Sequence, residues 1–372
     1  MTNRNLLDLA HDHDDFYVPS FRVKVGGQDL MRDLYLAVTK VQVDLKLRMA
    51  GHFSFTIAGA FDWTTREFVA NRGQERIDLL EMFAFGSPVV IELGYGSVAE
   101  LKPVLSGLIT EIGTGFSEGG TPELTISGYD DLYRLGVGQL TRGWKDQPDS
   151  AAVEEVVRAE MAIGEVVATE PKRPRIDKSG ETDLAFVERL AKANGFIFYM
   201  RAGKFYFGPR QNKRSAVMEL AWGEGLSSFS PSLNLAKQIT AVEVCGQPAT
   251  DGEAVIGRAQ RGEESGRESG GESGGDLITA AISKSPVMRV RAAVHSVAEA
   301  EAHAKAILEE RAQDFLTADG ECIGLPDIVP DTNIALTGLG RAFSRTFYVS
   351  EATHTLDSGG YRTSFKVQET TA

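Results

Sequence analysis

Apolar and polar side chains alternate along much of the first third of the chain. Residues 21–25 alternate with a period of two before the turn at Gly26-Gly27, and residues 41–47 alternate in the same way. A period of two places one face of each strand in a core and the other in solvent, which favours an antiparallel sandwich or barrel over a parallel sheet. A short helix from Arg76 to Phe83 is predicted to interrupt these strands.

The period changes to that of helices after residue 132. One predicted helix follows Ser150, which is its expected N-cap. A second predicted helix begins at Thr182 or Ser179 and ends at Asn194-Gly195, where glycine allows the usual left-handed termination. This part of the chain therefore reads as α+β.

A hairpin and a polar segment follow. Aromatic residues on both sides of Ala202-Gly203 predict a β-hairpin. Residues 260–276 hold six glycines and no apolar side chain, so they cannot bury enough surface to offset their ordering entropy. We expect a disordered insertion over 251–276. Ser296 and Glu299 then match a capping box, which predicts a long helix over 297–316.

These patterns predict an α+β, mainly β, protein with two similar antiparallel β-barrel-like domains separated by a smaller α+β domain. A flexible N-terminal segment, 1–17, precedes the first β-barrel domain at 18–132. The middle domain covers 133–225 and the second β-barrel domain covers 226–372. Several domains are also expected because 372 residues exceed the usual size of one hydrophobic core.

Composition narrows the classes of function. The net charge of −13 opposes attraction to nucleic-acid phosphates, so we expect no direct nucleic-acid recognition. No apolar run approaches the ~20 residues of a membrane span and no secretory signal is evident, so we expect cytoplasmic synthesis and no membrane insertion by this chain alone. Cys245 and Cys322 are too few and too far apart for a disulfide framework or a thiolate metal site.

The two β-rich ends share one order of strands and glycines. Gly94-Tyr95-Gly96 and Gly338-Leu339-Gly340 each follow an apolar strand, and Gly119-Gly120 and Gly359-Gly360 each precede a later strand. The offsets between the corresponding glycines are 244 and 240 residues. This agreement predicts an internal duplication. Three copies of such a chain would present six similar units around one axis, which suits docking on a six-fold ring.

Three segments carry a resemblance to a known family. The first, 181–199, has an acidic helix start, a Phe-x-x-Arg-Leu-Ala core and an aromatic strand. The second joins 106–111 to 124–132, and the third runs from Gly324-Leu325-Pro326 to the strand at 361–365. In this order they resemble the late control protein D family of phages, which is similar to the VgrG hub proteins of contractile injection systems.

The resemblance implies a structural, non-enzymatic baseplate hub of a phage tail or contractile injection particle. The expected partners are two further copies in a homotrimer, the inner tube protein, a separate spike protein and other baseplate proteins. Many VgrG proteins continue into a β-helical spike, whereas this sequence stops at Ala372, so the resemblance implies a spike on another chain. Two alternatives stay open: a tail-associated cell-wall hydrolase, and a carbohydrate- or receptor-binding module.

Each candidate chemical group also has a simpler structural interpretation. The run His11-Asp12-His13-Asp14-Asp15 offers metal ligands, but it lies in the segment predicted to be flexible. Glu181 and Asp183 stand at a helix start, where the helix dipole favours acidic residues. His354 alternates with threonines and has no nucleophile near it in the sequence, so we expect a strand histidine bonded to a neighbour.

The glycine runs at 94–96 and 338–340 lack the lysine of a phosphate loop and are interpreted as turns at strand ends. The aromatic residues of 196–207 fit a hydrophobic core better than a sugar platform. We therefore predict no catalytic, cofactor-binding or metal-binding residues, and no cofactor.

Overall fold

Strands predominate from one end of the chain to the other. The computed structural model describes residues 4–372 except 14, 15, 17, 73, 98, 99, 247–253 and 265–270. The first part contains α1 (Leu6–Asp12), β1 (Pro19–Val25), β2 (Gln28–Asp29), β3 (Ala37–Lys46), β4 (His52–Ala58), β5 (Phe61–Asp62), β6 (Glu67–Arg72), β7 (Glu75–Asp78), α2 (Leu79–Met82), β8 (Pro88–Tyr95), β9 (Lys102–Thr114), β10 (Leu124–Asp130) and α3 (Leu132–Leu135).

The remaining elements complete the chain order. The middle part contains β11 (Arg142–Gln147), α4 (Asp149–Arg158), β12 (Ile163–Val166), β13 (Arg173–Lys178), α5 (Asp183–Asn194), β14 (Phe196–Arg201) and β15 (Lys204–Pro209). The last part contains β16 (Met218–Trp222), β17 (Gly225–Leu233), β18 (Ala241–Gly246), β19 (Val255–Gln260), α6 (Gly274–Ile282), β20 (Val287–Arg291), α7 (Val297–Gln313), β21 (Leu316–Ile323), β22 (Asn333–Thr337), α8 (Gly340–Phe343), β23 (Thr346–Asp357) and β24 (Gly360–Glu369).

One thirteen-stranded sheet passes through both β-rich parts, in the order β2-β1-β8-β9-β10-β4-β3-β23-β22-β16-β17-β21-β24. We call the strands from β2 to β3 in this order the first β unit, and those from β23 to β24 the second β unit. Because β23 also pairs with β24, the second β unit closes into a six-stranded ring. The α+β, mainly β class is thus confirmed.

The duplicated segments have matching strand pairings. In the first β unit, β9 lies between β8 and β10, and all pairs are antiparallel. In the second, β23 is paired antiparallel to both β22 and β24. The glycine run at 94–96 lies at the end of β8, and the run at 338–340 directly follows β22. Both therefore stand at strand ends, as expected.

Strand β23 joins the two β units. Along one edge its first residues pair with β22 and its later residues pair with β3, where His354 lies opposite Val43. In β3 the alternation predicted for 41–47 is confirmed, because Val41, Val43 and Leu45 are buried. The core of the first β unit also includes Leu356, a residue of the second.

A middle unit, formed by α3–α5 and β11–β15, has its own core. Helix α5 buries Phe186, Val187, Leu190 and Ala191 against it. The ring of Phe186 stacks on Trp144 of β11 at a centroid distance of 5.0 Å. Thr182 is the N-cap of α5, as predicted, since its hydroxyl accepts a hydrogen bond from the Ala185 N–H. The aromatic hairpin β14–β15 also lies in this core, as expected.

A smaller sheet, ordered β19-β18-β20, packs against helix α7; we call it the side sheet. The helix approaches β19 so closely that a Cβ on Gly257 would lie 2.2 Å from the Ala300 backbone. Val242, Val244 and Ala259 face the helix from the two covered strands. Glycine at 257 therefore sets how closely this layer packs.

The prediction of a flexible N-terminal segment, 1–17, is wrong for the residues that the structure describes. Helix α1 begins with a capping box in which Asn5 and Asp8 bond each other's backbone N–H. Leu9 of α1 is fully buried in the core of the second β unit. The segment is ordered because this leucine packs on strands more than 200 residues away. Residues 1–3, 14, 15 and 17 lie outside the described part of the chain.

The predicted disordered insertion, 251–276, is likewise wrong at both of its described ends. Strand β19 pairs with β18 over its full length. Ser273 is 1% exposed and forms a capping box with Asp276 at the start of α6. Backbone pairing and capping thus order a segment that has few apolar side chains. Residues 251–253 and 265–270 lie outside the described residues.

Three element boundaries also differ from the sequence expectations. The helix expected over 76–83 is a strand, β7, followed by the single turn of α2, because residues 75–78 pair with β6. The helix expected over 297–316 ends at Gln313, where β21 follows. Strand β16 pairs with β22, so we propose that the second β-rich domain begins before β16 rather than at residue 226.

Gly107 in β9 offers a test of sheet packing. A Cβ at this position would lie 2.1 Å from the Tyr129 carbonyl oxygen, whereas one on Gly113 of the same strand would meet only the Thr125 oxygen at 3.9 Å. We expect Gly107→Ala to destabilise the chain by about 1–3 kcal/mol or more through overpacking. The matched Gly113→Ala should change stability by less than about 1 kcal/mol. Urea unfolding measures both, and equal effects would contradict the packing described here.

Candidate functional site

The loop 324–332, between β21 and β22, enters the space where the three units meet; we call it the junction loop. Leu325 and Ile328 anchor it in the core of the second β unit. Its two aspartates, Asp327 and Asp331, are directed toward the other units. The loop is therefore positioned to bind all three units together.

Asp327 contacts the first β unit and the N-terminal segment. Its carboxylate accepts hydrogen bonds of 2.7 and 2.8 Å from Lys102 Nζ, and lies 3.6 Å from His13 Nε2. Burial opposes ionisation of Asp327, but the nearby His13 ring and the hydrogen bonds from Lys102 outweigh it and hold its pKa at about 2. The carboxylate is thus charged at any physiological pH.

Asp331 connects the middle unit to the second β unit. It accepts hydrogen bonds from the hydroxyls of Tyr199 (3.0 Å) and Tyr348 (2.9 Å), and from the Gln211 N–H (3.0 Å). Burial raises the pKa of both tyrosines, so their hydroxyls remain donors. Asp331 itself is 4% exposed. Next to it, Arg201 donates to the Pro330 carbonyl at 2.6 Å.

Arg48 makes a second connection, from the turn after β3. Its Nε and Nη2 donate to the Phe196 carbonyl at 3.0 and 2.8 Å, and its Nη1 donates to Glu310 of α7 at 3.1 Å. Its backbone N–H donates to the Phe198 carbonyl at 2.8 Å. One residue thus holds the first β unit, the middle unit and α7 together.

Arg173 makes a third connection, beside a cavity of about 460 Å³ between α5, the segment that follows β20, and α7. Its guanidinium lies 2.9 Å from Asp149 of the middle unit and 3.2 Å from Glu299 of α7. Both carboxylates are nearly buried. Burial lowers the pKa of His303, which also lines this cavity.

Asp130 lies where the chain leaves the first β unit for the middle unit. Its carboxylate accepts hydrogen bonds from the Gly51 N–H at 2.8 Å and the Leu132 N–H at 3.0 Å. Burial raises the pKa of Asp130 to about 7, although both backbone donors oppose the shift. Ionisation at this hinge is therefore sensitive to pH near neutrality.

The histidines singled out from the sequence occupy structural positions. His354 is fully buried, and its Nδ1 lies 3.1 Å from the Thr363 hydroxyl and 3.0 Å from the Tyr361 hydroxyl, as expected of a strand histidine bonded to neighbours. Burial lowers its pKa to about 4, so the ring is neutral at pH 7. His11 lies on α1 and His13 lies 3.6 Å from Asp327, whereas Asp14 and Asp15 of the same run lie outside the described residues.

The acidic pair at the start of α5 is engaged in ion pairs. Glu181 accepts a hydrogen bond from Arg189 at 2.6 Å, and Asp183 pairs with the buried Lys178. The Cys322 thiol is buried and its pKa is raised by burial, which disfavours a reactive thiolate. The described part of the chain holds no group of three or more His, Cys, Asp or Glu side chains arranged to bind a metal ion.

Sequence reasoning missed Asp331, Arg48 and Arg173, which make the contacts between units. Their partners lie far away along the chain, so no local pattern could have identified them. In the structure Asp331 and Arg48 both adopt positive φ, near 62° and 61°, which a sequence does not reveal for these residue types.

Known proteins are similar to this chain at two levels. The family model described as "Alg8 N-terminal domain" matches residues 18–358. The chain belongs to the Alg8 N-terminal domain family. No curated protein sequence matches it.

None of the helices in the described residues combines the length and apolar composition needed to cross a bilayer.

Several solved structures have a fold similar to that of this Alg8 N-terminal domain. A 43 kDa tail protein of prophage MuSo2 from Shewanella oneidensis is 15% identical, with a TM-score of 0.68 over 94% of this chain and 98% of that one. A tail protein from Neisseria meningitidis MC58 gives 15% identity and a TM-score of 0.67 over 95% and 97%.

An E. coli protein, c3393, extends the comparison. It is described as a component of the type VI secretion system with structural similarity to the phage T4 tail proteins gp27 and gp5, and it gives 12% identity and a TM-score of 0.57 over 93% and 76%. At these identities the likeness concerns the fold, which this chain shares with phage tail proteins and with a type VI secretion component, as the resemblance implied.

The Asp331 contacts should stabilise the docking of the middle unit. Asp331→Asn keeps the size of the side chain but places an amide donor among three donors, and should cost about 1–3 kcal/mol. We also expect limited proteolysis to cut more readily near 210–217, where the chain leaves the middle unit. Asp319→Asn, an exposed change in β21, is the matched control. Equal protease resistance of the two variants would contradict the role of Asp331.

The raised pKa of Asp130 predicts a pH dependence of stability. Because the folded chain binds this proton more tightly than the unfolded chain, its contribution is full at low pH and is lost as pH rises from about 4 to about 7. Asp130→Asn should remove that part of the slope in denaturant unfolding free energy against pH. Asp319→Asn, an exposed change in β21, is the control and should leave the slope intact. An unchanged slope in Asp130→Asn would refute the assignment.

Proposed function

We propose that this chain is a structural, non-enzymatic hub of a phage tail or contractile injection particle. In this proposal it forms a homotrimer that joins the six-fold inner tube to a three-fold spike carried by a separate protein. It is made in the cytoplasm and then assembled with the tube, the spike and other baseplate proteins. The similar folds of proteins described as tail and type VI secretion components support this role.

The observation that carries the proposal is the pair of β units fused in one sheet. Each unit contains a set of three neighbouring antiparallel strands in the same chain order, β8-β9-β10 and β22-β23-β24, and the β3–β23 pairing fixes one unit relative to the other. A trimer of such chains has six similar units held in fixed positions, which is the symmetry needed to contact a six-fold ring. A chain with loosely tethered units would not fix that spacing.

The arrangement of polar residues also supports a scaffold. Charged side chains make contacts between units of the same chain, through Asp331, Arg48 and Arg173. Charge-assisted hydrogen bonds of this kind fix the orientation of the units as well as stabilising them. His354 and Cys322, two residues of types common in catalysis, are fully buried. These features favour the hub over the cell-wall hydrolase and the carbohydrate- or receptor-binding module.

Assembly stoichiometry tests the proposal. Light scattering of the purified chain, alone and with the tube protein, should give a mass of three chains per complex, and microscopy of particles should place one trimer at the tube end. A ring of six chains would contradict the symmetry argument. Cell-wall hydrolysis or glycan binding by the purified chain, absent in a heat-unfolded control, would instead support an alternative.

A further inference from the structure

Within the described residues, strand β20 leaves one edge of the side sheet open. There it pairs only with β18, in parallel, and the Pro286 carbonyl and the Ala292 N–H on either side of it both bond to the β18 strand region. Backbone groups alternate in direction along a strand, so those of Met288 and Val290 also face β18. The N–H and C=O groups of the intervening residues therefore point away from the sheet.

Those intervening residues are exposed. Val287, Arg289 and Arg291 are all accessible to solvent, and no backbone partner for them occurs among the described residues. Val287 is 41% exposed, so the strand presents apolar as well as polar surface. A row of unpaired backbone N–H and C=O groups at a sheet edge can pair with a further strand.

The opposite face of β20 is incompletely covered. Helix α7 packs mainly on β18 and β19, where Val242, Val244 and Ala259 are buried. Met288 and Val290 of β20 face the same core but remain only partly buried. An additional strand beside β20 would remove part of this apolar surface from water.

The outer face of the side sheet is basic in a chain whose net charge is −13. Arg258, Arg289 and Arg291 lie on it, and Glu243 is placed between the first two. Glu243 pairs with Arg289 at 2.8 Å and with Arg258 at 3.7 Å. No carboxylate partner for Arg291 occurs in the described part of the chain. The face therefore has an excess of positive charge at the open edge.

We propose that the open edge of β20 binds an extended acidic segment of another protein, which adds to the side sheet as a fourth strand. Main-chain hydrogen bonds to Val287, Arg289 and Arg291 would supply affinity, and the arginine side chains would select carboxylates. A second copy of this chain is a poorer occupant, because its own β20 would bring like charges together.

Hydrogen exchange with a defined probe tests the proposal. The probe is a labelled peptide of alternating Glu and Thr residues, and the matched control peptide has Lys in place of Glu. In the full chain alone, the amides of Val287, Arg289 and Arg291 should exchange faster than those of Met288 and Val290. The acidic peptide should slow the first three and bind more weakly as salt rises; the basic peptide should do neither.

Variants separate backbone pairing from charge. Arg289→Pro and Arg291→Pro each remove an outward N–H at an edge where proline is tolerated, and should abolish binding while the melting temperature stays within a few degrees. Arg289→Ala keeps the N–H and should weaken binding about two- to fivefold, as expected for one exposed ion pair. Arg258→Ala, two strands from the edge, should change binding by less than about twofold.

Three results would overturn the proposal. The first is the absence of acidic-peptide binding up to about 1 mM. The second is binding that persists in both proline variants, since it would not use the strand edge. The third is protection of Val287, Arg289 and Arg291 in the unliganded chain together with self-association that Arg289→Pro abolishes, which would make a second copy the occupant.

Discussion

The pairing of β3 with β23 is the interaction on which the architecture depends. It joins strands whose partnered residues are roughly 300 positions apart, and it turns two β units into one continuous sheet. Apolar residues of the second unit, Leu356 among them, then complete the core of the first. The hydrogen bond from Thr353 to Asp44 at 2.8 Å lies on the same pair of strands. Relative placement of the units is therefore a property of the fold rather than of a linker.

That placement gives the junction loop its role. With the units fixed, a single loop brings Asp327 to Lys102 and Asp331 to Tyr199. Burying a carboxylate is costly unless donors surround it. The buried Asp331 accepts hydrogen bonds from two tyrosine hydroxyls and a backbone N–H, and the partly exposed Asp327 pairs with Lys102. Contacts of this kind are directional, so they set the orientation of the middle unit more sharply than apolar packing would. A hub that transmits symmetry between rings would benefit from such rigidity.

Local chemistry made part of this fold predictable. The alternation at 41–47, the Thr182 cap and the aromatic hairpin depend on neighbouring residues, and the structure confirms all three. Ser296 caps α7 as predicted, although Glu299 bonds the His295 N–H instead of completing the capping box. Such details are set by a few adjacent backbone groups.

The predictions that proved wrong involve contacts between residues that are far apart in the sequence. The N-terminal segment is polar in sequence, yet Leu9 packs it into a distant core and His13 contacts Asp327. The glycine-rich segment lacks apolar anchors, yet Ser273 and the pairing of β19 order its described ends. Arg48 and Asp331 are unremarkable polar residues in sequence, and only the assembled units supply their partners. Non-local burial and hydrogen bonding decided these cases.

Native-state hydrogen exchange across the β3–β23 pair tests the central claim most directly. If the pairing makes one body of the two β units, the amides that bridge these strands should open with the same free energy as those within the cores of both units, in one global unfolding step. Exchange of the bridging amides at a free energy well below that of either core would show that the units separate before they unfold. That result would contradict the fused-sheet account and remove the basis for the proposed six-unit geometry of a trimer.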